Sequence, residues 1–442
     1  MALPGLDAFF TMPAAQRGPL LVEGVREAHR RHFARNAAYR RTVSARGVGA
    51  EVHPDRFQRL LRPAALTFKS YVETIGPFPQ DHPRAFLAWL GDQLSIPLPP
   101  ERRSALRRRY LTMEGLLADT ERIHADLGLE LVTSSGTSGV ASVVARDAAT
   151  VDLAVRSFFT GIHRAWGIAR DVALVFVMPE DTRVAMARAA RLGTEQLVWA
   201  EGASVSYTMP FSATPDRIRL RVGRTFHSGP RGVVESRLLH PVMAWADERF
   251  VARKYVDHTL ARLRELAAAG RPLMLLGGLT QLHAVARAAR VDLPAGSRVA
   301  TGGGTKEQYP FTPAEIRADL EAAFGGAPVA DAYGMAEADW GAFECPQGNY
   351  HIPPWVYAVV TDDADRIVPE PLASGMLAFF DPVAGGDLIP PFFQSADHVT
   401  LVNGGSRHDP ALACECGYDS AYIAGRIQRV DLMDEAGCAA QL

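Results

Sequence analysis

Lysine is almost missing from this chain of 442 residues: its 47 lysine and arginine side chains include only Lys69, Lys254 and Lys306 as lysine. The plain reading of this preference for arginine is codon bias, but chemistry that needs a lysine has three places to find one, and none after Lys306. Cysteine is scarce as well. The four present, Cys345, Cys414, Cys416 and Cys438, all fall in the last quarter, which excludes a disulfide framework in a chain this long. No apolar run reaches the roughly 20 residues of a membrane span. The N-terminal stretch MALPGLDAFFTMPAAQRG lacks the basic start and long apolar centre of a signal peptide, so a cytoplasmic protein is expected. There is no low-complexity linker and no internal repeat. A G-x-x-x-x-G-K-[ST] phosphate loop is absent, and GGGTKE at 302–307 is not the G-x-G-x-x-G of a dinucleotide fold. A formal net charge of −2 argues against binding to nucleic acid or an acidic membrane by the bulk charge of the chain.

What is present is an ordinary globular composition, 48% hydrophobic and 22% charged, in a length that exceeds the usual single domain of about 100–200 residues. Residues 1–130 read as a helical lead-in, with apolar positions at three-to-four spacing in LVEGVREAHRRHFARNAAYRR. From 131 to 345 apolar strand signals alternate with helical ones: VALVFVM, PLMLLGG, SRVATGGG and PVADAYG lie between helices such as FVARKYVDHTLARLRELAAAG and TPAEIRADLEAAFG. This alternation predicts an α/β nucleotide-binding core, a parallel sheet with flanking helices and ligands at the carboxyl ends of its strands. Residues 346–442 turn to strand patterns and predict a small, mostly β subdomain ending in a short tail.

Three glycine-containing loops fall at strand or helix edges. The first, Thr133, Ser134, Ser135, Gly136, Thr137, Ser138 and Gly139, sets five hydroxyls and two glycines in one row, which is either a plain turn or a loop whose amides and hydroxyls face a ligand. The others are TGGGTK at 301–306 and YGMAEA at 333–338. Together, TSSGTSGVAS, GGGTK and DAYGMAEA resemble, in order and spacing, the phosphate loop, adenine-packing glycines and Tyr-Gly-x-x-Glu motif of adenylate-forming enzymes. Within that superfamily the chain resembles most the Lux E-type acyl-protein synthetases and then the phenylacetate–CoA ligases, over roughly residues 60–438.

The resemblance implies ATP and Mg2+ as cofactors and a small carboxylic acid as substrate, converted to an acyl-adenylate with release of pyrophosphate. It implies phosphate binding by residues 133–139, Mg2+ binding by Glu337, adenine contact by Gly302, Gly303, Gly304, Tyr333, Gly334 and Met335, and ribose or phosphate contact by Asp397 and Arg426. Such chemistry brings a carboxylate against a phosphate, two anions, so amide dipoles, hydroxyls and a divalent cation are what it needs. Each residue also has a plainer reading: Glu337 as a solvated glutamate after a turn, Tyr333 as a strand-end core residue, Arg426 as one exposed arginine among many.

The chain departs from the superfamily in two places. Ser142 stands where most of these enzymes end the phosphate loop with a lysine, and no lysine is available for the mobile C-terminal domain that they usually carry, which is expected to be largely absent. A CoA ligase with a swinging lid is therefore disfavoured against acyl transfer to another thiol. Cys438, in the tail AGCAAQL, matches the acyl-accepting cysteine of the luminescence-type synthetases; its plainer reading is a mobile thiol without a role. A partner protein, a carrier protein or CoA are further acceptors; the alternative enzyme readings are an aryl-acid or phenylacetate-type CoA ligase and a stand-alone adenylating enzyme with an amine acceptor, and the non-enzyme one is a nucleotide-binding scaffold. Finally, Cys345, His351, Cys414 and Cys416 pair up locally as C-x5-H and C-x-C and are either a structural zinc site stitching two loops or unconnected surface residues.

Overall fold

The computed structural model describes residues 3–430, apart from 135–139, 170, 186, 189–190, 193–203, 213, 222–224, 226, 228, 247–249, 305–308 and 406. The chain divides into two compact units, one made of Met1–Ser157, Ala336–Trp340 and Pro346–Leu442, the other of Phe158–Met335 and Gly341–Cys345. Among the described residues no helix is long and apolar enough to cross a membrane.

The second of these units is an α/β layer structure. Its strands run in the order Gly341–Glu344, Val329–Gly334, Arg298–Gly302, Leu273–Gly278, Ala173–Pro179, Val205–Met209, all parallel except for the antiparallel first pair. The near-continuous apolar runs of Ala173–Pro179 and Leu273–Gly278 suit strands covered on both faces. Helices Ala252–Ala268, Leu279–Ala288 and Pro313–Ala323 supply a core in which Val175, Leu263, Leu275, Val285, Ile316 and Phe324 are fully or almost fully buried. Pro313–Ala323 starts where its sequence says it should: Thr312 and Glu315 form a reciprocal capping box, and Pro313 takes the first helical position, where a missing N–H costs nothing.

The unit containing the chain's N-terminal part is built on an antiparallel sheet in the order Tyr357–Thr361, Leu372–Phe380, Phe392–Val402, Tyr422–Arg429, Tyr350–His351. Arg62–Pro63 adds a short parallel pairing to Phe392–Val402. Phe57, Phe379, Phe380, Phe392 and Phe393 pack in tilted pairs in its core. The buried Arg62 lays its guanidinium 4.8 Å over the Phe393 ring and donates to the Pro390 carbonyl at 2.5 Å. Helix Ala14–Arg35 carries the buried His32, whose Nδ1 lies 2.6 Å from Ser95 Oγ. Glu130–Thr133 and Val143–Arg146 form a separate antiparallel hairpin.

Candidate functional site

The hairpin sets the first part of the site. Its two strands end at Thr133 and Val143, which pair directly, and two further bonds pin the base of the Ser/Gly loop: Ser134 N–H donates to Ser142 O at 3.1 Å, and Ser142 N–H to Ser134 Oγ at 2.9 Å. Ser135, Gly136, Thr137, Ser138 and Gly139 lie outside the described residues. The buried Ser142 hydroxyl donates to Glu337 Oε1 at 2.5 Å, so the loop base and the proposed metal ligand meet although 195 positions separate them.

Glu337 sits on a turn held from below by one arginine. Arg146, at the end of the hairpin, ion-pairs through Nε with Asp339 and donates from Nη2 to the carbonyls of Ala336 and Ala338 at 2.9 and 3.2 Å. Both partners of the pair are shielded, so its Coulomb energy is little screened. Burial nevertheless pushes the Asp339 carboxyl above its usual range, against the pull of Arg146.

A cavity of about 20 Å³, room for a single water, lies among Phe68, Arg146, Thr150, Glu337, Asp339 and Asp381. Arg146 Nη1, Thr150 Oγ1 and Asp381 Oδ2 are buried there without a hydrogen-bond partner among the described residues. Asp381 starts a tight loop: its Oδ1 accepts from Ala384 N–H at 2.8 Å, its own N–H donates to Pro391 O at 3.0 Å, and Gly386 holds φ +69° where a Cβ would lie 2.0 Å from Thr150 Oγ1. Burial, with the Asp339 charge adding to it, pushes the Asp381 carboxyl up to about 7, against the pull of the loop amides. Nothing in the sequence singled out Arg146, Asp339 or Asp381, because their spacing carries no local pattern.

In the α/β unit, the carboxyl ends of the parallel strands carry glycine in place of side chains. Gly278 pairs with Gly302, Gly302 with Ala332, and Gly334 ends the next strand. Gly303 and Gly304 follow in left-handed backbone, at φ +80° and +58°, which glycine adopts at little cost. Tyr333 and Met335 flank Gly334 and are half-buried. This is an open backbone shelf that a flat ligand could approach closely.

Asp397 and Arg426 lie on paired strands of the antiparallel sheet. Asp397 sits opposite Arg429; Arg426 lies beyond the bulge between His398 and Thr400, one residue after Gly425 at φ +71°. Cys438 lies outside the described residues.

The sulfur ligands do come together. Cys345, whose peptide bond leads into Pro346, joins His351, Cys414 and Cys416 with all four ligand atoms within 4.8 Å of one another. His351 Nε2 lies 3.2 Å from Cys416 Sγ, while its Nδ1 is fixed 3.1 Å from Ser420 Oγ. Burial pulls the His351 pKa down to about 4, so the ring is neutral and its lone pair available near neutral pH. Cys414 Sγ accepts from Asn349 Nδ2 and Cys416 Sγ from Tyr418 N–H, both at 3.4 Å. Three thiols and a neutral imidazole, with outer hydrogen bonds orienting them, fit tetrahedral Zn2+, whose neighbouring thiolates stand about 3.8 Å apart. The acceptors at the Glu337 site are carboxylate and hydroxyl oxygens, hard donors of the kind Mg2+ takes, with the Arg146 guanidinium beside them.

No family model matches this chain, and no curated protein matches it. Solved structures do. The chain is similar to 2-hydroxyisobutyryl-CoA ligase in an open conformation with 2-HIB-AMP and CoA, at 15% identity and a TM-score of 0.57, over 97% of this chain and 75% of that one. It is similar to the same ligase in the thioesterification state with both ligands, at 16% identity and a TM-score of 0.57, over 97% and 73%. A postadenylation structure with 2-HIB-AMP gives 16% identity and a TM-score of 0.51, over 96% and 72%. The fold is thus the α/β adenylation fold of these acyl-CoA ligases.

Proposed function

We propose that this protein is an adenylate-forming acid ligase: it joins a small carboxylic acid to ATP, releases pyrophosphate, and passes the acyl group to a thiol. The observation that carries the reading is the Ser142–Glu337–Arg146 arrangement, a carboxylate fixed at the base of a Ser/Gly loop, in a fold shared with ligases solved with 2-HIB-AMP. In the proposed reaction an acid oxygen attacks the α-phosphorus of ATP, the bond to the β-phosphate oxygen breaks, and pyrophosphate leaves with that electron pair; the acceptor thiol, after losing its proton, then attacks the acyl carbonyl, the bond from the acyl carbon to the phosphate oxygen breaks, and AMP leaves.

Each part of the chain has a proposed share in this. Thr133 and Ser134, with Ser135, Gly136, Thr137, Ser138 and Gly139, donate to the phosphates; Gly302, Gly303, Gly304, Tyr333, Gly334 and Met335 accept the adenine; Asp397 and Arg426 hold the ribose. Glu337 holds Mg2+, which supplies charge neutralisation when bound. Ser142 orients Glu337, and Arg146 fixes the turn that carries it. The organisation into a helical lead-in, a nucleotide core (131–345) and a β subdomain is part of the same reading, as is structural Zn2+ at Cys345, His351, Cys414 and Cys416. Cysteines held as thiols rather than as disulfides among the described residues suit a reducing cytoplasm.

For the acceptor we favour Cys438, a thiol on a Gly/Ala-rich tail; a partner or carrier protein and CoA are the other thiols. An acid-dependent ATP–pyrophosphate exchange screen over fatty, aryl and amino acids tests the first half-reaction. Exchange with none of them overturns it. Labelled acid with ATP should then give a hydroxylamine-sensitive acyl-enzyme, lost in Cys438→Ser while exchange survives; equal labelling of both proteins removes Cys438, and labelled thioester only on added CoA assigns the acceptor to CoA.

A further inference from the structure

The helix from Gly229 to Ala246 is built inside out. It consists of Gly229–Val234, a wide π-helical turn Glu235–Leu239, and His240–Ala246. A helix on a globular protein normally buries its apolar stripe and shows its polar one. Here the inward positions are Gly232, where a Cβ would lie 2.4 Å from the His227 carbonyl oxygen, and Glu235, whose Oε2 accepts from His227 N–H at 3.1 Å. Both are buried. The outward face is Val234, Leu238, Val242 and Trp245, flanked by Val233 and Leu239, with Leu238 63%, Val242 61% and Trp245 56% exposed. Phe250 extends it, its ring edge-on to Trp245 at 5.4 Å. Among the described residues, seven of the eleven exposed large hydrophobic side chains fall between Val233 and Phe250, six of them on this helix. A contiguous apolar patch of this kind marks an interaction site.

Charge says what kind. Among the described residues of 229–254 the exposed charged side chains are Arg231, Arg237, Arg253 and Lys254, all cationic, and the one acid, Glu235, is turned inward. The segment has five basic against three acidic residues in a chain whose net charge is −2. Pairing this face with a second copy would bring like charges together. Aliphatic side chains and an aromatic pair beside cations are instead the composition of a segment lying in a lipid interface, with the apolar face under the headgroups and the cations on their phosphates. We infer that the Gly229–Ala246 helix docks the protein on an anionic lipid surface.

Vesicle co-sedimentation of the intact protein, with neither acid nor ATP present, tests this independently of the adenylation reading. The wild type should pellet with phosphatidylcholine vesicles containing phosphatidylglycerol and stay in solution with phosphatidylcholine alone. Arg231→Gln with Arg237→Gln should weaken binding at least about tenfold, since each basic residue near an anionic surface adds roughly a factor of five. Leu238→Asp with Trp245→Ala should abolish binding while circular dichroism stays unchanged. A wild type that fails to pellet with the anionic vesicles overturns the inference, as does equal binding by both double variants and the wild type. Concentration-dependent dimerisation abolished by Leu238→Asp, with no vesicle binding, overturns it in favour of a second copy.

Discussion

Two clusters here are suited to metals, and they are built in opposite ways. The Cys345–His351–Cys414–Cys416 group holds its ligand atoms within 4.8 Å of one another and turns a neutral imidazole toward a thiol. The Glu337 site has no such set: Glu337, the proposed ligand, is already hydrogen-bonded by Ser142, and of the other two carboxylates lining the cavity Asp339 is paired with Arg146 and Asp381 is held in its own loop. A site complete in its own ligands suits a cation that stays and contributes folding energy. One that supplies a single oxygen ligand leaves the remaining positions to water and phosphate, as Mg2+ on a nucleotide requires. Softness of the donors and completeness of the set change together.

Removing a ligand from the closed site should have the largest effect. Cys416→Ser is expected to lower zinc content from about one equivalent to none and to cost more than about 4 kcal/mol of stability, read by metal analysis and denaturant unfolding. Wild-type protein purified without chelator and free of zinc breaks the contrast at once. Glu337→Gln comes next, with a loss of acid-dependent exchange on the order of a thousandfold and no change in the unfolding midpoint. Full exchange in that variant sinks the assignment of Glu337. Ser142→Ala should cost exchange about tenfold to a hundredfold, the value of one hydrogen bond to a charged group, with zinc content untouched. An unaltered rate would show that the bond orients nothing.

The smallest effects are in pH, where the two sites carry opposite signs. His351 in the folded chain takes a proton only near pH 4, against 6.5 in the unfolded chain, so its contribution is complete above about 6.5 and lost as pH falls toward 4. Asp381 keeps its proton up to about 7 when folded but releases it near 3.8 when unfolded; its contribution is present at low pH and lost as pH rises between those values. Unfolding measured from pH 4 to 8 should therefore lose its downward component in Asp381→Asn. An identical profile in that variant would remove Asp381 from the balance.

Much of the fold could be read from the chain. PLMLLGG and VALVFVM announce buried parallel strands because they are apolar on both faces, and Thr312-Pro313 marks a helix start through chemistry confined to four residues. The Cys/His group was partly legible because each half is local. The support of Glu337 was not. Ser142 stands out in the sequence only as a position where a lysine is missing, whereas in the fold its hydroxyl belongs to a glutamate 195 residues on. Arg146 and Asp339 are likewise 193 positions apart, and no periodicity records a pair brought together by topology. The outward apolar face of the Gly229–Ala246 helix escaped for another reason: apolar spacing tells which residues share a stripe, not which way the stripe faces.

The Ser142–Glu337 bond also has a meaning in time. Every residue of Phe158–Met335 lies between its two partners in the chain, so a growing polypeptide makes the Ser/Gly loop early and cannot close it on Glu337 until that whole unit has been synthesised. Closing a loop of this length carries an entropic cost that earlier contacts must offset, and contacts so distant in sequence form late. Incomplete chains thus hold a loop without its carboxylate, and the nucleotide site proposed above is assembled only after Glu337 has been synthesised.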